Sequence, residues 1–123
     1  MGRRNLFFCL LALTLIFSSV SVWAGGYGAI AYSAETNTWG YSYGYGSRDE
    51  AIASAEMRCG KPDCVWKTWF RNGCGSLAKG SNGILGWDGG YKTRSEAEDA
   101  ATRACRRNGG ENCEAICWAC SHN

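Results

Sequence analysis

The sequence predicts an α+β domain made of two tandem β-β-α-β repeats and stabilised by disulfides. The first observation is an internal repeat: the segment Ser47–Cys59, SRDEAIASAEMRC, matches Thr93–Cys105, TRSEAEDAATRAC, without a gap. The second is the cysteine content, since the chain of 123 residues has 8 cysteines. A domain of this size has a limited core, and disulfides compensate for that in exported proteins.

The N-terminal segment, residues 1–24, has the layout of a secretory signal peptide. Arg3 and Arg4 supply a basic start, Leu6–Phe17 is almost wholly apolar, and the VWA sequence that ends at Ala24 fits a cleavage site. The apolar run is short for a membrane-spanning helix, which needs about 20 residues. We therefore expect cleavage near Ala24, a secreted or periplasmic location, and no stable membrane insertion of the mature chain.

The mature chain is expected to carry no net charge. The whole chain has 13 Lys and Arg against 11 Asp and Glu, and two of the basic residues, Arg3 and Arg4, belong to the leader. An electroneutral domain has no global field that would attract the phosphates of nucleic acid. We therefore expect no nucleic-acid partner.

Residues 25–123 are expected to form a single domain, and each repeat is predicted to contain two strands, a helix and a third strand. The repeats cover about 27–73 and about 74–120. Strands are predicted from alternating or β-prone runs bounded by turn residues. They lie at about 27–33, 38–45, 64–71, 75–80, 83–88 and 112–120.

The two helices are predicted from their first turns. Ser47-Arg-Asp-Glu50 and Thr93-Arg-Ser-Glu96 have the capping-box pattern, and alanines follow at helical spacing. Short links from strand to helix to strand favour a right-handed crossover between strands that run in the same direction. We therefore expect a mixed sheet, two helices on one of its faces, and a pseudo-twofold axis between the repeats.

The sequence resembles a known family, domain of unknown function 4189, in the order and spacing of its motifs. These motifs are GAIAYS, WGYSYGY, SRDEA, WFRNGCGSLA and the closing cysteines, and the resemblance covers about residues 27–120. It implies a small exported bacterial protein without an assigned enzymatic role, and it supplies no catalytic residues. Cys117 is extra to the cysteine set that the family implies.

The stretch Thr38–Ser47, TWGYSYGYGS, alternates aromatic rings with small residues. Successive side chains of a strand point to opposite faces, so the four rings share one face. In the second repeat a leucine joins the ring positions, and an aspartate joins the small-residue positions. That favours an aromatic face buried under the helices and a solvated glycine face. A ligand platform that stacks sugars or peptide is the alternative.

The strand at 64–71 supplies a candidate interface. Trp66 and Trp69 have opposite parity, so we expect one of them at the surface, beside Arg71. Exposed tryptophan and arginine are typical of protein interfaces. We therefore assign Trp66, Trp69 and Arg71 to a predicted contact with a protein partner.

Equivalent cysteines of the two repeats should pair alike. We predict three disulfides, Cys59–Cys64, Cys105–Cys113 and Cys74–Cys120, and expect the last to fasten the two repeats. Cys117 then remains as a free thiol and as the rival partner of Cys74. If Cys117 is exposed, it could join two chains as a disulfide homodimer.

The residue types that carry chemistry predict no active site. The one histidine, His122, lies next to the C-terminus, and the CxxC spacing of Cys117 and Cys120 ends a strand instead of opening a helix that would lower a thiol pKa. Cys113, Cys117, Cys120 and His122 could supply four zinc ligands, but disulfides fit an exported protein better. We expect no catalytic residue, no cofactor and no metal, and an enzyme has no positive support.

The function that these observations favour is binding of another protein, as an inhibitor, an immunity partner or a secreted effector. A small cell-envelope hydrolase and an envelope structural or stress protein are the alternatives. A pair of carboxylates converging in a pocket would favour the hydrolase. A patch with exposed Trp66 or Trp69 would favour the binding protein.

Overall fold

The computed structural model describes residues 25–122, which form six strands and two helices. The first half contains β1 (Tyr27–Ser33), β2 (Thr38–Tyr45), α1 (Arg48–Cys59) and β3 (Val65–Arg71). The second half contains β4 (Gly73–Lys79), β5 (Leu85–Tyr91), α2 (Arg94–Arg107) and β6 (Glu114–Ser121). The predicted secretory leader lies outside the described residues.

The strands form two antiparallel sheets of three strands, with the orders β2-β1-β3 and β5-β4-β6. β2 and β3 both run antiparallel to β1, and therefore in the same direction as each other. Because β1 lies between them, they form no parallel pair. The prediction of one mixed sheet is therefore wrong, whereas the α+β class is confirmed. The pseudo-twofold axis stays a prediction, although the two sheets have the same strand order.

The two sheets pack face to face, and the helices lie on the opposite outer sides. Ile30 and Phe70 of the first sheet share a buried cluster with Leu77 of the second. On the other side of β1, alanines contact alanines of α1, and Ala78 of β4 contacts Ala101 of α2 in the same way. The expectation of both helices on one face is therefore wrong: the layers run helix, sheet, sheet, helix.

Phe70 fills the centre between the two sheets and is 1% exposed. A Cβ atom on Gly28 would lie 2.5 Å from the Phe70 ring, and one on Gly75 would lie 2.6 Å from it. The two central strands, β1 and β4, therefore each present a glycine to the same ring. A larger residue at either glycine would displace the ring that joins the sheets.

Both helices begin at the predicted residues. The Ser47 hydroxyl accepts a hydrogen bond of 3.2 Å from the Glu50 N–H, and the Thr93 hydroxyl accepts one of the same length from the Glu96 N–H. These bonds satisfy backbone donors of the first turn that have no partner within the helix.

The three disulfides of the structure are Cys59–Cys64, Cys105–Cys113 and Cys74–Cys120, the pairs expected from the sequence. Cys74 and Cys120 are directly paired residues of β4 and β6. Their bond therefore joins two strands of the second sheet, and the expectation that it would fasten the two halves of the chain is wrong.

Cys117 is the one free cysteine among the described residues, and it is buried between the sheets at 7% exposure. Burial raises the pKa of its thiol to about 12. A disulfide homodimer through Cys117 would need an accessible thiolate, which this position does not supply.

Candidate binding surface

Trp39, Tyr41 and Tyr43 of the aromatic row of β2 do not lie under the helices, whereas Tyr45 packs against α1 and accepts a hydrogen bond of 2.7 Å from the Ser54 hydroxyl. Trp39 pairs with Tyr32 and Tyr41 pairs with Ile30, so both rings are on the side of the sheet that faces the second sheet. β2 is an edge strand, however, and Trp39 and Tyr41 remain 40% and 43% exposed. The prediction of an aromatic face buried under the helices is therefore wrong for Trp39, Tyr41 and Tyr43.

The small residues of β2 form the face that contacts α1. A Cβ atom on Gly40 would lie 2.2 Å from the Cys59 nitrogen and 2.4 Å from the Ala55 oxygen. The Ser42 hydroxyl donates a hydrogen bond of 2.6 Å to the Ala51 carbonyl oxygen. Alanines on the helix and small residues on the strand allow the two backbones to approach closely. The occurrence of both in the sequence is the signal that identifies the strand face covered by the helix.

The rings of β2 line a groove between the two sheets. It has a volume of about 380 Å³, with Trp39, Tyr41 and Tyr43 on one side and Ile116–Cys120 of β6 on the other. The Tyr41 and Tyr43 rings are stacked, with centroids 6.4 Å apart. The platform alternative of the sequence analysis therefore has a matching geometry, and its ligand stays a prediction.

A second groove, of about 520 Å³, lies between β3 and β5. The residues that line the two grooves include one carboxylate, Asp88, which accepts hydrogen bonds from the Gly89 N–H at 2.9 Å and from the Tyr91 hydroxyl at 2.8 Å. This contact with Asp88 raises the pKa of the Tyr91 hydroxyl. Neither groove brings together the two carboxylates that a glycosidase mechanism requires.

Trp66 and Trp69 of β3 lie on the same side of their sheet. Trp66 pairs with Ala31 and Trp69 with Ala29, and the pairing shifts between them so that Lys67 has no partner. Because this β-bulge adds an unpaired residue between them, Trp66 and Trp69 lie on the same face of the sheet. The sequence-based expectation of opposite faces is therefore wrong. Both tryptophans flank α1 and are 40% and 38% exposed.

Four side chains follow one another along the surface and are named the basic-aromatic ladder: Arg48, Trp69, Tyr27 and Arg71. The Arg48 guanidinium lies 5.6 Å from the Trp69 ring centroid, and the Arg71 guanidinium lies 5.1 Å from that of Tyr27. The Tyr27 and Trp69 rings are in contact, with centroids 6.3 Å apart. Two predicted interface residues, Trp69 and Arg71, are therefore joined through Tyr27, a link that their sequence positions did not indicate.

The second half of the chain has a related but different arrangement. The Arg94 guanidinium lies 4.3 Å from the Trp118 ring centroid, and its Nε also donates a hydrogen bond of 3.1 Å to Glu98. Tyr27 and Arg71 are paired residues of β1 and β3, and the corresponding pair of β4 and β6 is the disulfide Cys74–Cys120. The ladder is thus particular to the first half.

The residues considered for zinc do not come together as a site. Among the described residues, Cys74, Cys120 and His122 form the one group with ligand atoms close enough for a metal ion. The two sulfur atoms of that group are bonded to each other, and Cys113 of the predicted set is bonded to Cys105. A sulfur in a disulfide is not a thiolate and does not ligate zinc as one.

The family model for a domain of unknown function, DUF4189, matches residues 27–120. The chain belongs to the DUF4189 family. Its curated relatives include Protein Rv1269c of Mycobacterium tuberculosis and Protein Mb1300c of Mycobacterium bovis, each 42% identical over 60 residues. That match covers 49% of this chain and 47% of each relative, so the chain spans about half the length of the curated relatives it matches.

The solved structure of Rv1813c from Mycobacterium tuberculosis, determined by NMR, has a similar fold. The TM-score is 0.53 at 26% sequence identity, over 82% of this chain and 78% of Rv1813c. Within residues 25–122, neither helix is long and apolar enough to cross a membrane.

Proposed function

We propose that this DUF4189 protein is an exported binding module whose partner is another protein, and that the basic-aromatic ladder is the centre of the interface. The observation that carries the proposal is the contact chain Arg48–Trp69–Tyr27–Arg71 on the surface of the first sheet. Tryptophan, tyrosine and arginine are the residue types that dominate binding energy at protein interfaces. Trp66, on the same side of the sheet, extends this surface.

The rigidity of the basic-aromatic ladder also supports a role in protein binding. The ladder stands on β1 and β3, two adjacent strands, and on the first residue of α1, so its rings are held by regular structure instead of by a loop. A preorganised surface loses little conformational entropy when a partner binds. The grooves, with their single carboxylate, favour this reading over the envelope hydrolase.

Export is the second part of the proposal. Three disulfides close within a domain of this size, and such bonds persist in an oxidising compartment. The predicted leader would deliver the chain there, and an inhibitor, an immunity partner or a secreted effector would act there. We further propose that the two halves are related by the pseudo-twofold axis that the sequence repeat predicts.

The test compares two matched tryptophans. The protein, as exported, is tagged and used to capture partners from periplasmic and culture fractions, together with the variants Trp69→Ala and Trp118→Ala. The two side chains are 38% and 40% exposed, and each lies against an arginine at the start of a helix. We expect Trp69→Ala to weaken capture by at least about tenfold, which corresponds to roughly 1.4 kcal/mol.

Trp118→Ala should leave capture unchanged. The captured protein is identified by mass spectrometry, and circular dichroism establishes that both variants are folded. Equal capture by the wild type and by the folded Trp69→Ala variant would contradict the proposed interface, as would an equal loss in both variants.

A further inference from the structure

We infer that the segment of the partner that contacts the basic-aromatic ladder is an acidic peptide segment, whose carboxylates pair with Arg48 and Arg71. This inference rests on the proposed function and names the chemistry of the partner at the same surface. It is carried by the charges of the ladder, which the protein itself leaves largely unmatched.

The guanidinium groups of the ladder have unused hydrogen-bond donors. In residues 25–122 there are two ion pairs, Arg48–Asp49 and Arg94–Glu98, so Arg71 takes part in neither. The Arg48–Asp49 contact is a single one, 3.6 Å from Nε, between side chains that are 55% and 88% exposed. Such an exposed pair contributes little and leaves the outer fork of the guanidinium available.

In the second half of the chain, the arginine at the start of the helix has a carboxylate partner. Arg94 stacks on Trp118 and donates to Glu98 four residues later on α2. The internal repeat aligns Glu98 with Ile52, because TRSEAE begins at Thr93 and SRDEAI begins at Ser47. Arg48 therefore lacks the carboxylate that Arg94 has at the same helical spacing.

The stacked geometry suits a carboxylate ligand. An arginine that lies over an aromatic ring uses the face of its guanidinium plane, and its N–H donors remain in that plane for a bidentate contact. Arg48 and Arg71 lie at the two ends of the ladder, with Trp69 and Tyr27 between them. An occupant that matches this surface has acidic side chains separated by apolar contact.

The overall charge favours a peptide over a polyanion or an anionic membrane. The whole chain has 13 basic and 11 acidic side chains, and the expected mature chain is electroneutral. Nucleic acid and anionic membranes are bound through many phosphate contacts, which two arginines do not provide. Two charges beside two rings match a short segment of a protein.

The test uses a fluorescently labelled decaglutamate peptide and the complete exported protein. Binding is measured by fluorescence anisotropy at low and at physiological ionic strength, because contacts between exposed charges weaken with salt. We expect saturable binding that Arg71→Gln weakens by about tenfold or more, and that Arg94→Gln changes by less than about twofold. Decalysine should not bind.

A second variant inserts the missing carboxylate. Ile52→Glu places an acidic side chain four residues after Arg48, and we expect decaglutamate binding to fall by about fivefold or more. Arg71→Gln changes only an exposed side chain and keeps the inference testable if Ile52→Glu does not fold. Decaglutamate binding that is equal in the wild type, Arg71→Gln and Arg94→Gln would overturn the inference.

Two further probes decide between classes of partner. Tighter binding to vesicles containing phosphatidylglycerol, or to a single-stranded oligonucleotide, than to decaglutamate would also overturn the inference. If a captured partner depends on Trp69 but is insensitive to Arg48→Gln and Arg71→Gln, the acidic-segment inference fails while the proposed function stands. If capture is independent of Trp69, the proposed function itself fails.

Discussion

The Ser42 hydroxyl donates a hydrogen bond of 2.6 Å to the Ala51 carbonyl oxygen and thereby joins the middle of β2 to the first turn of α1. Both residues are buried, so the bond satisfies a hydroxyl that would otherwise be costly to remove from water. The bond places the small residues of β2 against α1, and Trp39 and Tyr41 lie on the opposite face of the strand, towards the second sheet.

The first prediction concerns the closeness of α1 to β2. Gly40→Ala should destabilise the protein by about 1–3 kcal/mol, the usual range for overpacking, because the added methyl meets backbone atoms of Ala55 and Cys59. The free energy of unfolding is measured by urea denaturation with the disulfides intact.

Gly46→Ala is the matched control for Gly40→Ala. A Cβ atom on Gly46 would have no atom within 4 Å, and Gly46 is not among the glycines with positive φ. We expect its unfolding midpoint to stay near that of the wild type. Equal stability of the Gly40→Ala and Gly46→Ala proteins would contradict the close packing of α1 against Gly40.

The second prediction contrasts two large aromatic side chains. Phe70 is 1% exposed and contacts both sheets, so Phe70→Ala should cost about 3–5 kcal/mol of unfolding free energy. Trp39 is 40% exposed at the sheet edge, so Trp39→Ala should cost clearly less. Urea denaturation of both variants measures the two losses of unfolding free energy. A larger loss for Trp39→Ala than for Phe70→Ala would support the buried aromatic face that the sequence suggested.

Local features of this fold were predictable, whereas the order of the strands in the two sheets was not. The helix caps at Ser47 and Thr93, and the disulfides that span short turns, follow from residues close in sequence. The central place of β1 depends on which strands meet in space, and local pattern does not encode that. Gly40 was misread because a strand glycine fits either solvent or the close approach of another backbone.

The candidate surface was predictable in part for the same reason. Trp69 and Arg71 stood out by residue type, but the face they share with Trp66 depends on the bulge at Lys67, for which the sequence has no glycine or other signal. Tyr27 joined the ladder only through the pairing of β1 with β3. By contrast, the sequence alone shows that Arg48 has no carboxylate four residues later, because the alignment of the two helical segments places Ile52 opposite Glu98.

The third prediction is a dependence of stability on acid pH through Asp63. Its carboxylate accepts hydrogen bonds from the Ser33 hydroxyl at 2.6 Å and from the Glu35 N–H at 3.1 Å, and these bonds lower its pKa below the ordinary value of 3.8. Because the folded pKa is the lower one, the contribution of Asp63 is present above pH 3.8 and is lost as the pH falls through the folded pKa.

Asp63→Asn is the variant that isolates this effect. Its unfolding midpoint should be lower than that of the wild type near neutral pH, and the difference should shrink as the medium becomes more acid. Thermal melts followed by circular dichroism across the acid range measure it. Asp99→Asn, at an exposed carboxylate outside both ion pairs of residues 25–122, is the control, and a pH-independent difference for Asp63→Asn would contradict the assigned role of the carboxylate.

The fourth prediction concerns the leader, which lies outside the described residues. Mass spectrometry of the exported protein should show a chain that begins at Gly25, because residues 1–24 have the pattern of a cleaved signal peptide. Recovery of the intact chain from the membrane fraction would contradict cleavage.

The last prediction uses the buried thiol of Cys117 as a reporter of folding. Cleavage after Ala24 would remove Cys9 and leave seven cysteines, of which six are in disulfides, so Cys117 is the one cysteine of the expected mature chain outside these bonds. Burial raises the pKa of the thiol to about 12, and iodoacetamide reacts with thiolate, so labelling of the native protein near pH 8 should be far slower than in denaturant. Mass spectrometry gives the two rates, measured with the disulfides intact. Rapid labelling of the native protein, or a disulfide-linked dimer on a non-reducing gel, would show that Cys117 is accessible and would reopen the homodimer hypothesis.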